Sequence, residues 1–213
     1  MQAVRYSQTT LPTTHGTLRM VVYRQDDGVE HVAMVAGDVS SGDGEDVVCR
    51  VHSECLTSEV FGSLKCDCKQ QLDRALDLIA RRGRGVVLYL RGHEGRGIGL
   101  GDKIKAYALQ EQGHDTVDAN RLLGLPDDAR DFSVVRDILD DLGVKSVQLL
   151  TNNPLKVDAV EGMGIRVTQR LPHLVAASPT AMRYVTTKGR RMGHMLDGPL
   201  SSTSGPDIGF AAK

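Results

Sequence analysis

Three of the four cysteines in this 213-residue chain fall within fourteen positions, as Cys55, Cys66 and Cys68 in a C-x10-C-x-C pattern. Two residues apart, Cys66 and Cys68 can face the same side of an extended turn. Cys55 can rejoin them if the residues between form a loop. Three thiolates converging on one point repel each other unless a cation sits among them. Zinc is the expected ion, because it takes sulfur ligands, and three protein ligands leave the fourth tetrahedral position open, as in catalytic sites. A closed structural site would want a fourth Cys or His at a regular offset, and none stands at one. Just ahead of Cys55 the chain reads RVHSE. Strand periodicity puts Arg50, His52 and Glu54 on one face and Val51, Ser53 and Cys55 on the other. A cation, an imidazole and a carboxylate therefore flank the first ligand. Cys49 alternates with Val47 and Val51 and reads as a core residue.

Two further stretches carry chemistry. Residues 91–101, RGHEGRGIGLG, hold five glycines directly after an apolar run. They match neither G-x-G-x-x-G nor the G-x-x-x-x-G-K-[ST] phosphate loop. A glycine-rich turn between a strand and a helix still lets backbone N–H groups approach an anion. Arg91 and Arg96 add charge and forked hydrogen bonds, while Glu94 is expected to hold a metal or accept from a base N–H. The second stretch is Thr151–Pro154, TNNP, where an Asn cap and a proline at the first helical position open a helix. Lys156 falls in its first turn, a common way to hold an anionic group at a helix start, beyond the carboxyl end of a strand. The remaining candidates are Gln71 in the turn after Cys68, Tyr107 on the next helix, and Thr116, Asp128 and Arg130 in a long polar segment. Asp128 and Arg130 suit a proton acceptor paired with a phosphate contact.

The elements that must position these residues are legible by periodicity. Thr17–Arg24, Glu30–Ala36 and Asp46–His52 read as an antiparallel meander. Leu72, Ala75, Leu76, Ile79 and Ala80 mark a helix over Lys69–Arg82, stopped by Gly83. Gly85–Leu90 reads as a buried strand. A helix over Asp102–Gln112 puts Ile104, Tyr107 and Ala108 on one stripe, and residues 113–132 read as a long loop, of the kind that is functional or disordered. An amphipathic helix (Ser133–Leu142), a buried strand (Ser146–Leu150), a helix over 154–163 and a strand over Gly164–Leu171 follow. The expected fold is α/β: a mixed β-sheet with an N-terminal antiparallel meander and flanking helices. Residues 1–196 are expected to form one domain. From Ser178 the chain turns polar and basic, and residues 197–213 are expected to be disordered.

Composition removes several classes. Forty percent apolar residues, with three Phe, five Tyr and no Trp, give an aliphatic core. A net charge of −1 argues against a general nucleic-acid or membrane-surface binder. No apolar run approaches the ~18 residues of a membrane span, and MQAVRYSQTT has no apolar leader segment. Clustered thiols without a leader read as metal ligands in a reducing, cytoplasmic setting. The sum describes a hydrolase acting on a phosphorylated small molecule. A zinc-stabilised binding module is the alternative from another class, and it requires a fourth ligand and a basic face.

The stretches RVHSECLT, SLKCDC, GHEGRGIGL, KIKAYALQ, DTVDAN, DDARDF and LLTNNPLKV together resemble GTP cyclohydrolase II, in order and with compatible spacing, from about Leu11 to about Leu196. The resemblance implies the stand-alone riboflavin-biosynthesis type, without a fused dihydroxybutanone phosphate synthase domain. Such enzymes open the imidazole ring of GTP, release formate from C8 and release pyrophosphate, leaving a diaminopyrimidinone ribosyl monophosphate. The implied zinc ligands are Cys55, Cys66 and Cys68. The implied GTP contacts are Arg50, Val51, His52, Ser53 and Glu54, then Gln71, Glu94, Gly95 and Arg96, then Thr116, Thr151 and Lys156. Asp128 is the implied proton acceptor, Arg130 the implied nucleophile at the α-phosphate and Tyr107 an assistant in ring hydrolysis. An arginine stays protonated, so stabilising the α-phosphate transition state is the easier physical role for Arg130. Mg²⁺ on the triphosphate and a homodimer are also implied. The chain departs from the family pattern at His93, within R-G-H-E-G-R where many relatives have R-Q-E-G-R, and at Lys69, where glycine is usual. A homologue that stops at the formylated pyrimidine is a variant of the same reading.

Overall fold

A computed structural model describes residues 2–175, with the side chains of Thr116 and Val117 left out. The segment from Ser178 and the tail 197–213 lie outside the described residues.

The frame is one seven-stranded sheet in the order β1-β2-β3-β5-β4-β6-β7. Strands β1 (Ala3–Thr13), β2 (Gly16–Gln25) and β3 (Glu30–Ala36) form the antiparallel wing. β3 then pairs antiparallel with β5 (Gly85–Leu90), and from there the sheet turns parallel through β4 (Val47–Ser53), β6 (Ser146–Leu150) and β7 (Arg166–Leu171). The architecture is the expected mixed α/β sheet, with two changes to the meander. Its first strand, β1, carries no apolar period to announce it, because every residue from Val4 to Pro12 is exposed. Its supposed third strand, β4, leaves the meander altogether and lies beyond β5, parallel to it.

The helices cover both faces. α2 (Cys68–Arg82) packs Ala75 and Ile79 against Leu18, Val48 and Val87 on one face. α5 (Val134–Asp141) packs Val135, Ile138 and Leu139 against Val47, Cys49, Val51 and Leu149 on the other. Gly83 closes α2 in the left-handed region, at φ 66°, as the stop signal requires. Asn153 caps α6 (Pro154–Gly162) by accepting the Leu155 N–H at 3.1 Å. α1 (Leu56–Glu59) is a single turn, and α3 runs Gly99–Glu111. The long polar segment is not all loop: α4 (Thr116–Leu122) forms within it and buries Ala119 and Asn120. No helix among the described residues is long and apolar enough to cross a membrane.

This topology leaves a gap at one place. The connection leaving β4 runs to β5 on one side, while β6, its other parallel neighbour, leads on to β7 on the opposite side. A crevice opens where two such connections diverge, beyond the carboxyl ends of the strands.

Candidate active site

The crevice at the ends of β4, β5 and β6 gathers most of the expected residues. Its walls include Arg50, His52, Ser53, Glu54, Cys55, Cys66, Cys68, Gln71, Gly95, Arg96, Tyr107, Arg130, Thr151 and Lys156. Val51, Glu94 and Asp128 are not among its lining residues. Thr116 opens α4, and its side chain is outside the described set.

Cys55 follows β4, Cys66 precedes α2 and Cys68 is the first residue of that helix. The sulfurs all lie within 4.8 Å of one another, and among the described residues the converging group holds these three alone. Tetrahedral coordination at a Zn–S distance of about 2.3 Å puts neighbouring sulfurs about 3.8 Å apart. Cys55 Sγ and Cys66 Sγ are 3.7 Å apart, so the donor set fits zinc. Hydrogen bonds from Cys66 and Cys68, together with the Lys103 ammonium, hold the Cys55 sulfur far below the ordinary thiol range. The same contact with Cys55 raises Cys66.

Lys103 was not singled out in the sequence, yet it ties the trio to the glycine loop. Its Nζ lies 3.2 Å from Cys55 Sγ and donates to Thr57 Oγ1 at 2.8 Å. It is ion-paired with Glu94, and both side chains are buried. The second Glu94 oxygen accepts the Leu56 N–H at 2.7 Å. Both Glu94 oxygens are thus engaged within the protein, one by the Lys103 ammonium and one by the Leu56 N–H. The signal for Lys103 was its helical spacing: Lys103, Ala106, Tyr107 and Gln110 form the stripe of α3 that faces the crevice. The expected stripe of Ile104, Tyr107 and Ala108 faces a shallow surface hollow with Phe61 and Lys65, and Ile104 is 49% exposed.

β4 supplies the crevice floor. The buried Arg50 donates from Nη1 to the Leu150 carbonyl at 2.9 Å and from Nη2 to Gln71 Oε1 at 2.6 Å. Gln71 in turn donates to Asp67 Oδ2 at 2.7 Å. Burial pulls the Arg50 guanidinium down to about 10, still charged at neutral pH. His52 Nε2 donates to Glu59 Oε1 at 2.7 Å, and Tyr89 donates to the other Glu59 oxygen at 2.5 Å. Burial lowers the His52 imidazole to about 4. Val51 points into the core and only its carbonyl serves the site, accepting Lys156 Nζ at 2.9 Å.

The glycine loop is a tight turn. Arg96 adopts φ 68°, a left-handed conformation that a non-glycine residue occupies at a cost. The Ala129 N–H donates to the Arg96 carbonyl at 2.9 Å, and a Cβ on Gly97 would stand 2.9 Å from the Ala129 backbone. The glycines thus let the loop seat against the Asp128–Arg130 segment. There Arg130 Nε donates to Asp128 Oδ1 at 2.8 Å, and Nη1 reaches Ser53 Oγ at 3.3 Å. Burial raises the Asp128 carboxyl, but Arg130 outweighs it and leaves the group below the usual carboxylate range. His93, the departure in this loop, spans the same junction, with Nδ1 3.2 Å from Ser53 Oγ and Nε2 2.9 Å from the Asp131 carbonyl. Asn120 and His173 also line the crevice. Neither was an expected site residue: Asn120 closes the DTVDAN stretch in an expected loop, and His173 lies beyond the last expected strand.

Fold and site together define a class: an α/β domain whose cysteine trio opens onto a cation-lined crevice at a strand switch point. The family model for GTP cyclohydrolase II matches residues 4–172, and the chain belongs to that family. Curated relatives include the "Riboflavin biosynthesis protein RibBA" of Nocardia farcinica, 56% identical over 198 residues, which cover 92% of this chain and 47% of that protein. The protein of the same name from Salinispora tropica is 57% identical over 191 residues, covering 89% of this chain and 47% of its own. This chain thus spans about half the length of the curated relatives it matches. Among solved structures, RibBX, a two-domain 3,4-dihydroxy-2-butanone 4-phosphate synthase from A. baumannii, aligns with 23% identity and a TM-score of 0.43 over 84% of this chain and 41% of its own.

Proposed function

We propose that this chain hydrolyses GTP, opening the imidazole ring with release of formate from C8 and of pyrophosphate, to give 2,5-diamino-6-(5-phosphoribosylamino)pyrimidin-4(3H)-one for riboflavin synthesis. Membership of the family supports it. The observation that carries it is the sulfur trio, spaced for zinc, on the wall of a crevice that also presents Arg50, Arg130 and Lys156. Cys55, Cys66 and Cys68 would hold one zinc per subunit. Zinc, when bound, supplies a Lewis acid at which water ionises near neutral pH. Arg50 and Lys156, buried at the strand ends, attract the polyphosphate, whose charge Mg²⁺ shares. Arg130 stabilises negative charge developing at the α-phosphate, and Asp128, held ionised beside it, accepts a proton. Gln71 fixes the Arg50 guanidinium, Thr151 sits buried at the end of β6, and Tyr107 stands on the α3 stripe that faces the purine side. Lys103 keeps a positive charge against Cys55, favouring the thiolate form that a metal requires.

Residues 1–196 form one catalytic unit on this reading. It works as a homodimer, and a reducing cytoplasm keeps the trio free of disulfide. The exposed Phe61 and Ile104, together around the shallow hollow, support a subunit contact there. Incubation with GTP, Mg²⁺ and zinc tests the activity, with mass spectrometry of the product. Release of formate and pyrophosphate with a deformylated pyrimidine supports the full reaction. A formylated pyrimidine identifies the shorter one, and unchanged GTP with zinc bound overturns both.

A further inference from the structure

Among the described residues, five buried side-chain polar atoms have no hydrogen-bond partner, and three of them, Arg50 Nε, His52 Nδ1 and His173 Nδ1, belong to residues lining the crevice. Buried polar groups are nearly always paired, so an orphan in a cavity wall marks a contact that a ligand or water completes. Arg50 and His52 already belong to the site. His173 stands apart: it lies past the end of β7, and none of the chemistry proposed for GTP uses it.

The His173 side chain is tightly held. It is 1% exposed. Its backbone N–H donates to Asn152 Oδ1 at 2.8 Å, and its carbonyl accepts Asn152 Nδ2 at 2.8 Å. This two-way clasp joins it to the turn that opens α6. Ring Nε2 lies 2.9 Å from the Gln71 carbonyl. A carbonyl only accepts, so Nε2 carries the hydrogen. Burial drives the imidazole down to about 2, so the ring is neutral at physiological pH and Nδ1 is a bare lone pair. Gln71 also accepts from Arg50, so one side chain and its backbone lock both the acceptor and the cation in place.

We infer that His173 is a specificity residue of this site, its Nδ1 accepting a hydrogen bond from an N–H or O–H donor on the base or sugar of the bound nucleotide. A polyphosphate cannot be the partner, because at neutral pH its oxygens beyond the terminal one are acceptors only. The donors of a guanosine nucleotide are the ribose hydroxyls, N1–H and the 2-amino group. The inference rests on the GTP reading above.

The test measures kcat/KM for GTP and for its 2′-deoxy, 3′-deoxy, 1-methyl and inosine (2-amino-free) counterparts, in zinc-loaded wild type, His173→Leu and His173→Asn. In wild type the analogue lacking the partner donor is the poorer substrate. His173→Leu is expected to lose roughly ten-fold on GTP and nothing on that one analogue, so the ratio collapses. His173→Asn, which can keep an acceptor near the Nδ1 position, restores part of it. In parallel, the ¹⁵N signal of the unprotonated His173 nitrogen is expected to move upfield when wild type is saturated with α,β-methylene GTP. Uniform loss across all five nucleotides in a folded His173→Leu protein, or a ¹⁵N signal that saturation leaves in place, overturns the inference while leaving the GTP reading intact. Failure of wild type to turn over GTP and to bind the analogue overturns both.

Discussion

The two wings of the sheet are built for different ends. The antiparallel wing is wet on β1, joins the rest through the β3–β5 ladder and a shared apolar core, and adds a polar anchor: Arg5 and Tyr23 both donate to Asp141 on α5, at 2.8 and 2.6 Å. It contributes no residue to the crevice. The parallel wing concentrates the buried polar groups: Arg50, His52, Glu94, Lys103, Lys156 and His173 all lie below a tenth exposed and all belong to the crevice or its supports. Burying charge weakens a fold unless each group is paired. The chains Arg50–Gln71–Asp67, Cys55–Lys103–Glu94 and His52–Glu59–Tyr89 supply that pairing. Both wings share the core; the parallel wing also carries the functional groups and the cost of burying them.

The contrast can be broken by substitution. The largest effect is expected from Cys66→Ser in the parallel wing: zinc, measured by metal analysis, and turnover fall to background together. Turnover retained without zinc would separate the trio from the chemistry. Next comes Lys103→Met, which strands Glu94 as a buried, unpaired carboxylate. Denaturant melts should show a loss of about 3–5 kcal/mol, and Glu94→Gln added to it should recover much of that. A single-variant loss near zero would mean the ion pair has no structural weight.

A pH series probes the buried imidazoles as a group. Burial lowers His52 and His93 to about 4 and His173 to about 2, while free imidazoles titrate near ~6.5. Below that pH the unfolded chain binds protons that the folded chain refuses. Stability is therefore full above about pH 6.5 and falls toward pH 4, by at most about 1.4 kcal/mol per pH unit for each group. Replacing His173 with Leu should flatten the slope; an unchanged slope would show that this ring does not stay neutral. The smallest effect belongs to the antiparallel wing. Thr10→Ala on exposed β1 should change stability by less than about 0.5 kcal/mol and leave kcat/KM alone. A large loss of activity there would dissolve the contrast between the wings.

Legibility in the sequence followed the same divide in physics. The cysteine trio was readable because a converging set of sulfur donors requires one residue type at short spacing. Helices α2 and α5 were readable because each buries a single apolar stripe, and α6 because its cap and proline obey local rules. β1 was not, since an edge strand exposed on both faces has no period of two in hydrophobicity. The placement of β4 beyond β5 was not either, because strand order is a long-range property. Lys103 and His173 hid for a further reason. A buried lysine or histidine looks like any surface residue until its partners, here Glu94 and Gln71, are brought across the fold. The loop that carries Glu94 was legible, but the direction of its carboxylate was not, because it turns inward to a lysine on the next helix.

The most direct test of the central claim follows the C8 atom itself. GTP labelled with ¹³C at C8 is given to the zinc-loaded protein with Mg²⁺, and the carbon is tracked by NMR beside a count of bound zinc. One labelled formate is expected for each GTP consumed, and none once zinc is stripped from the cysteine trio. A label that stays in an intact purine ring, with zinc fully bound to the three sulfurs, would contradict the claim.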